Sequence, residues 1–213
     1  MRSLNIAATG LQAQQLNVDV ISQNLANMTT SGYKRQRAEF QDLLYQNLRR
    51  VGSNSADTGT IVPTGVQLGL GVKPGAIYRN HQQGTRGGTE GALETALQGR
   101  GFFQIELPTG EIGYTRAGAF QLSPDGEIVT IDGYLLSPAI TVPQDATSIS
   151  INKSGQVEVT IEGQTAPQLL GQIELVNFAN EAGLDATGDN LYAETAASGA
   201  PVVGTPGENG FGT

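Results

Sequence analysis

The sequence contains no cysteine, no tryptophan and a single histidine, His81. Without thiols there is no disulfide, no thiolate metal site and no cysteine nucleophile, a usage that fits an extracytoplasmic life and leaves the redox compartment open. A lone histidine cannot complete a zinc site, and a surface or loop position is the default for it. With no tryptophan and 6% aromatic residues, there is little material for a ligand-binding face of exposed rings. No apolar run approaches the ~18 residues of a membrane-spanning helix, so no direct membrane insertion is expected. Asn5, Thr9 and Gln12 interrupt what would have to be an apolar signal core of about seven residues, so no cleaved signal peptide is expected.

Catalytic patterns are missing as well. Neither Gly69-Leu70-Gly71-Val72-Lys73-Pro74 nor Gly99-Arg100-Gly101-Phe102-Phe103-Gln104 completes G-x-G-x-x-G, and there is no Walker loop and no G-x-S-x-G elbow. Asp125 and Asp132 each precede a glycine at an expected strand reversal, where aspartate is favoured for backbone reasons and not for glycoside chemistry. No D-x-D-x-D-G array occurs that would hold calcium. The sequence therefore indicates a non-enzymatic protein with no catalytic residues, no metal and no cofactor.

Charge is sparse, at 15% of residues, and unevenly spread. Residues 1–50 hold six basic and three acidic side chains, a net of +3; residues 51–213 hold six basic and seventeen acidic, a net of −11. An acidic body repels phosphates and so disfavours nucleic acid and anionic membrane as partners. The basic cluster Lys34-Arg35-Gln36-Arg37 is better explained by a solvated helix start or an acidic neighbouring subunit than by a phosphate site.

What is present begins with residues 3–34, SLNIAATGLQAQQLNVDVISQNLANMTTSGYK. Leu4, Leu11, Val18 and Leu25 recur every seven residues, with Ala7, Gln14, Ile21 and Met28 three positions after each, the spacing of a helix packed along another helix. A second seam of Ile6, Ala13 and Val20, with Leu16 nearby, lies about 200° around the helix at ~100° per residue. Asp19 is the only charge between Ser3 and Met28, whereas Asn5, Gln12, Gln14, Gln15, Asn17, Gln23, Asn24 and Asn27 supply amides. Periodicity alone favours the ordinary amphipathic core helix of a monomer, since heptads this short are common. The scarcity of charge favours an assembly helix with both seams turned to neighbouring chains. Gly10 costs about 1 kcal/mol relative to alanine in a helix interior, and burial of Leu4, Leu11, Val18, Ile21 and Leu25 returns on the order of 10 kcal/mol.

Beyond Gly32, the pattern Phe40, Leu43, Leu44, Leu48 reads as a short second helix or a turn packed beneath the first, and the Gly/Ser/Asn/Asp/Thr-rich stretch 51–71 as an extended loop or loose hairpin. From residue 72 the period changes. Phe102 to Leu107 and Ile112 to Arg116 form a hairpin about Pro108-Thr109-Gly110, and a meander follows through Phe120 to Leu122, Ile128 to Ile131 and Tyr134 to Leu136, with turn residues at each reversal. The stretch 126–133 is echoed at 155–163, as one hairpin solution used twice. The fold class is α+β, mainly β: an N-terminal helical assembly domain over 1–34, a connecting segment over 35–71, and an antiparallel β domain over 72–213 with a Gly/Pro-rich tail.

Asn24-Leu25-Ala26-Asn27-Met28-Thr29-Thr30-Ser31-Gly32-Tyr33-Lys34 resembles the N-terminal signature of bacterial flagellar rod and hook proteins. Asn24, Ala26, Asn27, Thr30, Gly32, Tyr33 and Lys34 stand at the offsets of that motif. A physical rationale is that Asn24 and Asn27 bridge helices, Ala26 permits close approach, and Gly32 suits a left-handed helix stop. Residues 34–45 resemble the distal rod members more than the hook or proximal rod members. Leu97-Gln98-Gly99-Arg100-Gly101-Phe102-Phe103 and Tyr114-Thr115-Arg116-Ala117-Gly118-Ala119-Phe120 extend the resemblance over nearly the whole chain. Gly99 and Gly101 permit a bulge or close backbone approach, and Tyr114, Phe120 and Tyr134 are candidate core residues.

The resemblance implies a subunit of a rigid hollow drive shaft, assembled from copies of itself and meeting other rod proteins, hook protein, surrounding ring proteins and the export apparatus. It implies a periplasm-spanning basal-body location and type III export. Segment 51–71 would pack between subunits. Hook or proximal rod subunits are the alternative, followed by a β-rich extracellular binding module with an oligomerising helix. The resemblance also implies a C-terminal heptad helix pairing with the N-terminal one. Residues 199–213, GAPVVGTPGENGFGT, contain none, so the chain as given is expected to be truncated.

Overall fold

The computed structural model describes residues 1–52, 64–89, 91–164 and 166–213. It contains one long helix, α1 (Arg2–Ala26), and sixteen strands among the described residues, which makes the fold α+β and mainly β. Two compact units are formed: Met1–Met28 with Arg35–Asn80, and Thr29–Lys34 with His81–Thr213.

The first unit combines α1 with β1 (Gln36–Asp42), β2 (Tyr45–Arg49), β3 (Val66–Gly69) and β4 (Val72–Arg79). The short helix expected around Phe40 to Leu48 is not formed. Those residues belong to β1 and β2, and tertiary pairing overrides the helical spacing. β1 pairs antiparallel with β4, from Gln36 opposite Arg79 to Asp42 opposite Val72. The Leu43 N–H donates to the Gly71 carbonyl at 2.9 Å and the Leu70 N–H to the Leu44 carbonyl at 3.2 Å. β2 then pairs with β3, from Tyr45 opposite Gly69 to Arg49 opposite Val66. The strands thus form one continuous two-stranded ribbon, 36–49 against 66–79, roughly 45 Å long at ~3.3 Å per residue. Of the stretch 51–71, expected as an extended loop or loose hairpin, Val66–Gly69 is a strand whose partner, β2, lies outside the stretch, and 53–63 are outside the described residues. Residue 72, where the sequence changes period, opens β4 inside this ribbon.

Helix α1 covers the β1–β4 half. The Thr9 hydroxyl donates to the Ile6 carbonyl at 2.8 Å and accepts from the Val72 N–H at 3.4 Å. Fifteen residues later Asn24 binds Gln36, the first residue of β1. Those fifteen helical residues rise about 22 Å, and the strand from Gln36 to Asp42 spans about 20 Å, so helix and strand lie antiparallel and in step. The helix face inward is Ile6, Thr9, Ala13, Leu16, Val20 and Asn24; it meets a strand whose Gln36, Ala38 and Phe40 alternate with exposed Arg37, Glu39 and Gln41. Gly71, at φ +123°, lies so close to the Thr9 side chain that no Cβ would fit.

The second unit carries the core. Its strands are β5 (Phe102–Glu106), β6 (Ile112–Thr115), β7 (Gln121–Leu122), β8 (Ile128–Val129), β9 (Leu135–Ser137), β10 (Ala146–Ile151), β11 (Gln156–Ile161), β12 (Gln168–Gln172), β13 (Leu175–Asn177), β14 (Asp185–Gly188), β15 (Leu191–Ala193) and β16 (Val202–Gly204). A nine-stranded sheet runs β14-β15-β6-β5-β9-β8-β7, with β13 joining β5 beyond the end of β9 and β16 pairing with β13. β10, β11 and β12 form a separate three-stranded sheet.

The period of two decides which side each residue takes. Phe103, Ile105, Leu175 and Leu191 face one cluster, closed by Val157 and Val159 from β11. Phe102, Val176 and Tyr192 face a second cluster with Tyr114, Phe178 and Leu184. The large sheet is therefore buried on both faces at its centre. Tyr114 and Phe120 are in the core as expected, and Tyr134 packs against it half-buried. The echoed segments do occupy equivalent places: β8 and β11 are each the central strand of a three-stranded meander, each bounded by glycines at positive φ, Gly126 and Gly133 for one and Gly155 and Gly163 for the other. The Gly/Pro-rich tail is not an appendage; β16 lies within it, and Phe211 packs against the core.

Gly118 shows how little slack this unit has. The Thr95 N–H donates to the Gly118 carbonyl at 2.9 Å, and a Cβ on Gly118 would fall inside the Thr95 carbonyl group. Gly118→Ala is expected to destabilise the full chain by about 2–3 kcal/mol, read from the urea midpoint at unchanged slope.

Candidate assembly surface and the motif segment

The first unit has almost no interior. Among its described residues only Ala13 and Val20 are buried, at 5% and 4% exposure. Ordering a residue costs about 1–2 kcal/mol of backbone entropy, far more in sum than these two side chains return. Meanwhile the heptad seam, Leu4, Leu11, Val18, Ile21 and Leu25 with Met28, is exposed, from 56% at Ile21 to 74% at Met28. The expectation that both seams look outward is corrected here. Ile6 and Val20 belong to the face covered by the chain's own β1–β4 ladder, since 36–42 is a strand presenting Ala38 and Phe40. The seam of Leu4, Leu11, Val18, Ile21 and Leu25 is the one left open.

The β2–β3 half of the ribbon is open as well. Tyr45, Leu48, Val66 and Leu68 are all exposed, and the strands lie beyond the helix. A two-stranded hairpin exposed on both faces is marginal in water. Apolar side chains on α1 and on the far ribbon thus form the largest body of uncovered hydrophobic residues in this unit.

The motif residues mostly act within the chain. The Asn24 amide donates to the Gln36 carbonyl at 2.7 Å, and its Oδ1 accepts from the Gln36 N–H at 2.8 Å, a ladder rung made by a side chain. Asn24 is a clamp to β1, not a bridge to another helix. The Asn27 amide donates to the Gln23 carbonyl at 3.0 Å and closes the helix end, while Ala26 is the exposed last residue of α1. Gly32 is left-handed, at φ +76°, but it lies six residues past the helix in the turn where the Tyr33 N–H meets the Thr30 carbonyl at 3.3 Å. A Cβ there would stand 2.8 Å from the Ala117 nitrogen, so this glycine serves a close approach to the β-rich unit. The Asn190 amide donates to the Ser31 carbonyl at 3.2 Å.

Lys34 is not solvated. It is 9% exposed, and its ammonium donates to the Gln82 carbonyl at 2.9 Å. Burial pushes its pKa below the usual lysine value, the nearby Arg116 guanidinium adds to the shift, and Glu181 opposes it. Arg35 is exposed, and Arg37 pairs with Glu39 at 2.6 Å on the open side of β1, where both are solvated and contribute little.

Sequence reasoning missed Arg116 and Glu181. Arg116 donates to the Gly101 carbonyl at 2.6 Å, to the Gln83 side-chain oxygen at 2.9 Å and to the Gly99 carbonyl; burial lowers its pKa, opposed by Glu181 and Tyr192. Arg100 binds Glu181 at 2.8 Å. His81 is packed, not superficial: its ring lies 5.9 Å from Phe102 and 6.1 Å from Tyr192, with Nδ1 3.8 Å from the Glu181 carboxylate. The signal was available in the two arginine-bearing motifs, whose glycines require a partner that fits against bare backbone. Among the described residues no group of three or more His, Cys, Asp or Glu could hold a metal ion, and no helix is long and apolar enough to cross a membrane.

These features are those of an assembling axial protein. Residues 4–34 match the family model described as flagella basal body rod protein, and residues 96–159 match that described as flagellar hook protein FlgE/F/G D1 domain. The flagellar basal-body rod protein FlgG of Caulobacter vibrioides is 59% identical over 212 residues, covering 100% of this chain and 81% of that protein. The protein of the same name from Bacillus subtilis is 39% identical over 219 residues, with 100% and 81% covered. The flagellar hook protein FlgE of Treponema pallidum is 38% identical over 130 residues, 61% of this chain and 27% of that protein. The chain belongs to the flagellar basal-body rod protein FlgG family.

A pH dependence follows from Lys34. Its folded pKa is lowered, so the unfolded chain holds that proton more tightly, and the Lys34 contribution to stability increases as pH rises from the lowered value to about 10.4. Lys34→Met removes this dependence together with the bond to the Gln82 carbonyl, at roughly 1–2 kcal/mol. In paired urea titrations, the wild-type advantage over Lys34→Met should widen from pH 8 to pH 10.

Proposed function

We propose that this chain is a structural subunit of the distal rod, in which α1 lies in the inner wall of a rigid hollow shaft and the β-rich unit forms its outer layer. The observation that carries this is the uncovered seam of Leu4, Leu11, Val18, Ile21 and Leu25 on a helix whose only charge after Arg2 is Asp19. The residues that would meet neighbouring copies are these, and not Ile6 and Val20. The exposed β2–β3 ribbon fits the same role, with Tyr45, Leu48, Val66 and Leu68 between subunits. Torque then passes from motor to hook through packed helices.

The location proposed is the basal body across the periplasm, reached by flagellar export without a cleaved leader. The partners are other copies, adjacent rod proteins, hook protein, ring proteins and the export apparatus. No catalysis is assigned. Full-length similarity to rod proteins, against partial similarity to hook protein, supports the rod over the hook alternative.

Leu11→Asp and Val18→Asp place a charge in the open seam and touch no core residue of the β-rich unit. Both variants should fold and be exported at wild-type levels yet be absent from purified basal bodies, which stop short of the hook. Normal rods from either variant would remove the seam from the assembly.

A further inference from the structure

Arg116 joins pieces of the β-rich unit that are far apart in sequence. Its guanidinium holds the carbonyls of Gly99 and Gly101 and the side-chain oxygen of Gln83. Gln83 in turn donates to the Leu97 carbonyl at 3.1 Å and accepts from the Gly99 N–H at 3.2 Å. On the other side of the same loop, Gln98 and Thr213 exchange N–H bonds at 2.8 and 2.9 Å, and the Gly212 N–H donates to the Arg100 carbonyl at 2.7 Å. Thr29–Lys34 reaches this place through Gly32 against the backbone of Arg116 and Ala117, and through Lys34 on the Gln82 carbonyl. All four consecutive carbonyls, 98 to 101, are thereby occupied.

Two of these pieces are where the chain crosses between the units: Lys34 precedes Arg35, and His81 follows Asn80. We infer that loop 97–101, stapled by Arg116, is a load-transfer node that fastens both crossings and residues 212–213 into one cooperative patch, with Arg116 as its positioning residue. Any force entering from the helical unit along the backbone meets this patch before it meets the sheets. Glycine at 99 and 101 is required by positive φ, +111° and +135°, and the Gly212 Cα lies 2.9 Å from where a Cβ on Gly99 would stand. Lysine cannot replace the arginine, because an ammonium does not supply a planar fork to three acceptors.

The inference rests on the shaft reading only for the origin of the load, and it is tested on the soluble full chain by residue-resolved amide hydrogen exchange. Charge-assisted bonds of this kind correspond to about ten- to hundredfold in local opening. Arg116→Lys should accelerate exchange by that factor together in Thr29–Lys34, 82–84 and 212–213, with β11 unchanged. Acceleration confined to Gly99 and Gly101, or spread equally into Val157 and Val159, would overturn the node. Should Arg116→Lys not fold, Gln83→Ala makes the same test by deleting one branch, with a smaller rise expected at the same three segments and none at β11. Absence of the unsubstituted chain from purified basal bodies, with the exchange pattern as expected, would keep the node and lose the shaft.

Discussion

The uncovered hydrophobic seam on α1 is the constraint from which the rest of this structure follows. A helix with two charged side chains in 25 residues, an interior glycine and several β-branched residues has little stability of its own, and the β1–β4 ladder covers only one of its faces. On the proposed assembly, burial of Leu4, Leu11, Val18, Ile21 and Leu25 against a neighbour would contribute on the order of 10 kcal/mol. The ribbon is similar: α1 covers its near half, and among the described residues Tyr45, Leu48, Val66 and Leu68 of its far half are exposed. On that proposal, part of the stability of this unit comes from the assembly and not from the single chain.

The β-rich unit follows the opposite rule. Its central strands bury side chains on both faces, and its turns are glycines at positive φ tied by short backbone bonds. What links the two regimes is the motif segment. Asn24 completes the ladder of the first unit, whereas Gly32, Ser31 and Lys34 are built into the second. In this chain residues 24–34 therefore carry intrachain contacts, made by side chains, or the lack of one, that fit bare backbone.

Much of this was legible in the sequence. Period two from Phe102 onward, with aspartate or proline and glycine at each reversal, was enough to place the hairpin and meander, because turn chemistry is local. The heptad was legible for the same reason. Three things were not. Phe40, Leu43, Leu44 and Leu48 carry a helical period, but strand pairing with 66–79 lies in long-range register that no local window contains. Which of the two seams would be covered depended on that same ribbon. Lys34 looked like a surface charge and nothing marked a role for Arg116, because the carbonyls that receive them belong to Gln82, Gly99 and Gly101, and backbone acceptors leave no trace in residue identity.

The lack of cysteine makes the central claim directly measurable, since one introduced thiol is the only one in the chain. Leu11→Cys and Val18→Cys subunits would be treated with a small maleimide as free chains and within purified rods. Rapid labelling in the free chain and strong protection in the rod is the result this account predicts. Equal labelling in both states would show that the seam stays in solvent after assembly, and the role given to it would be wrong.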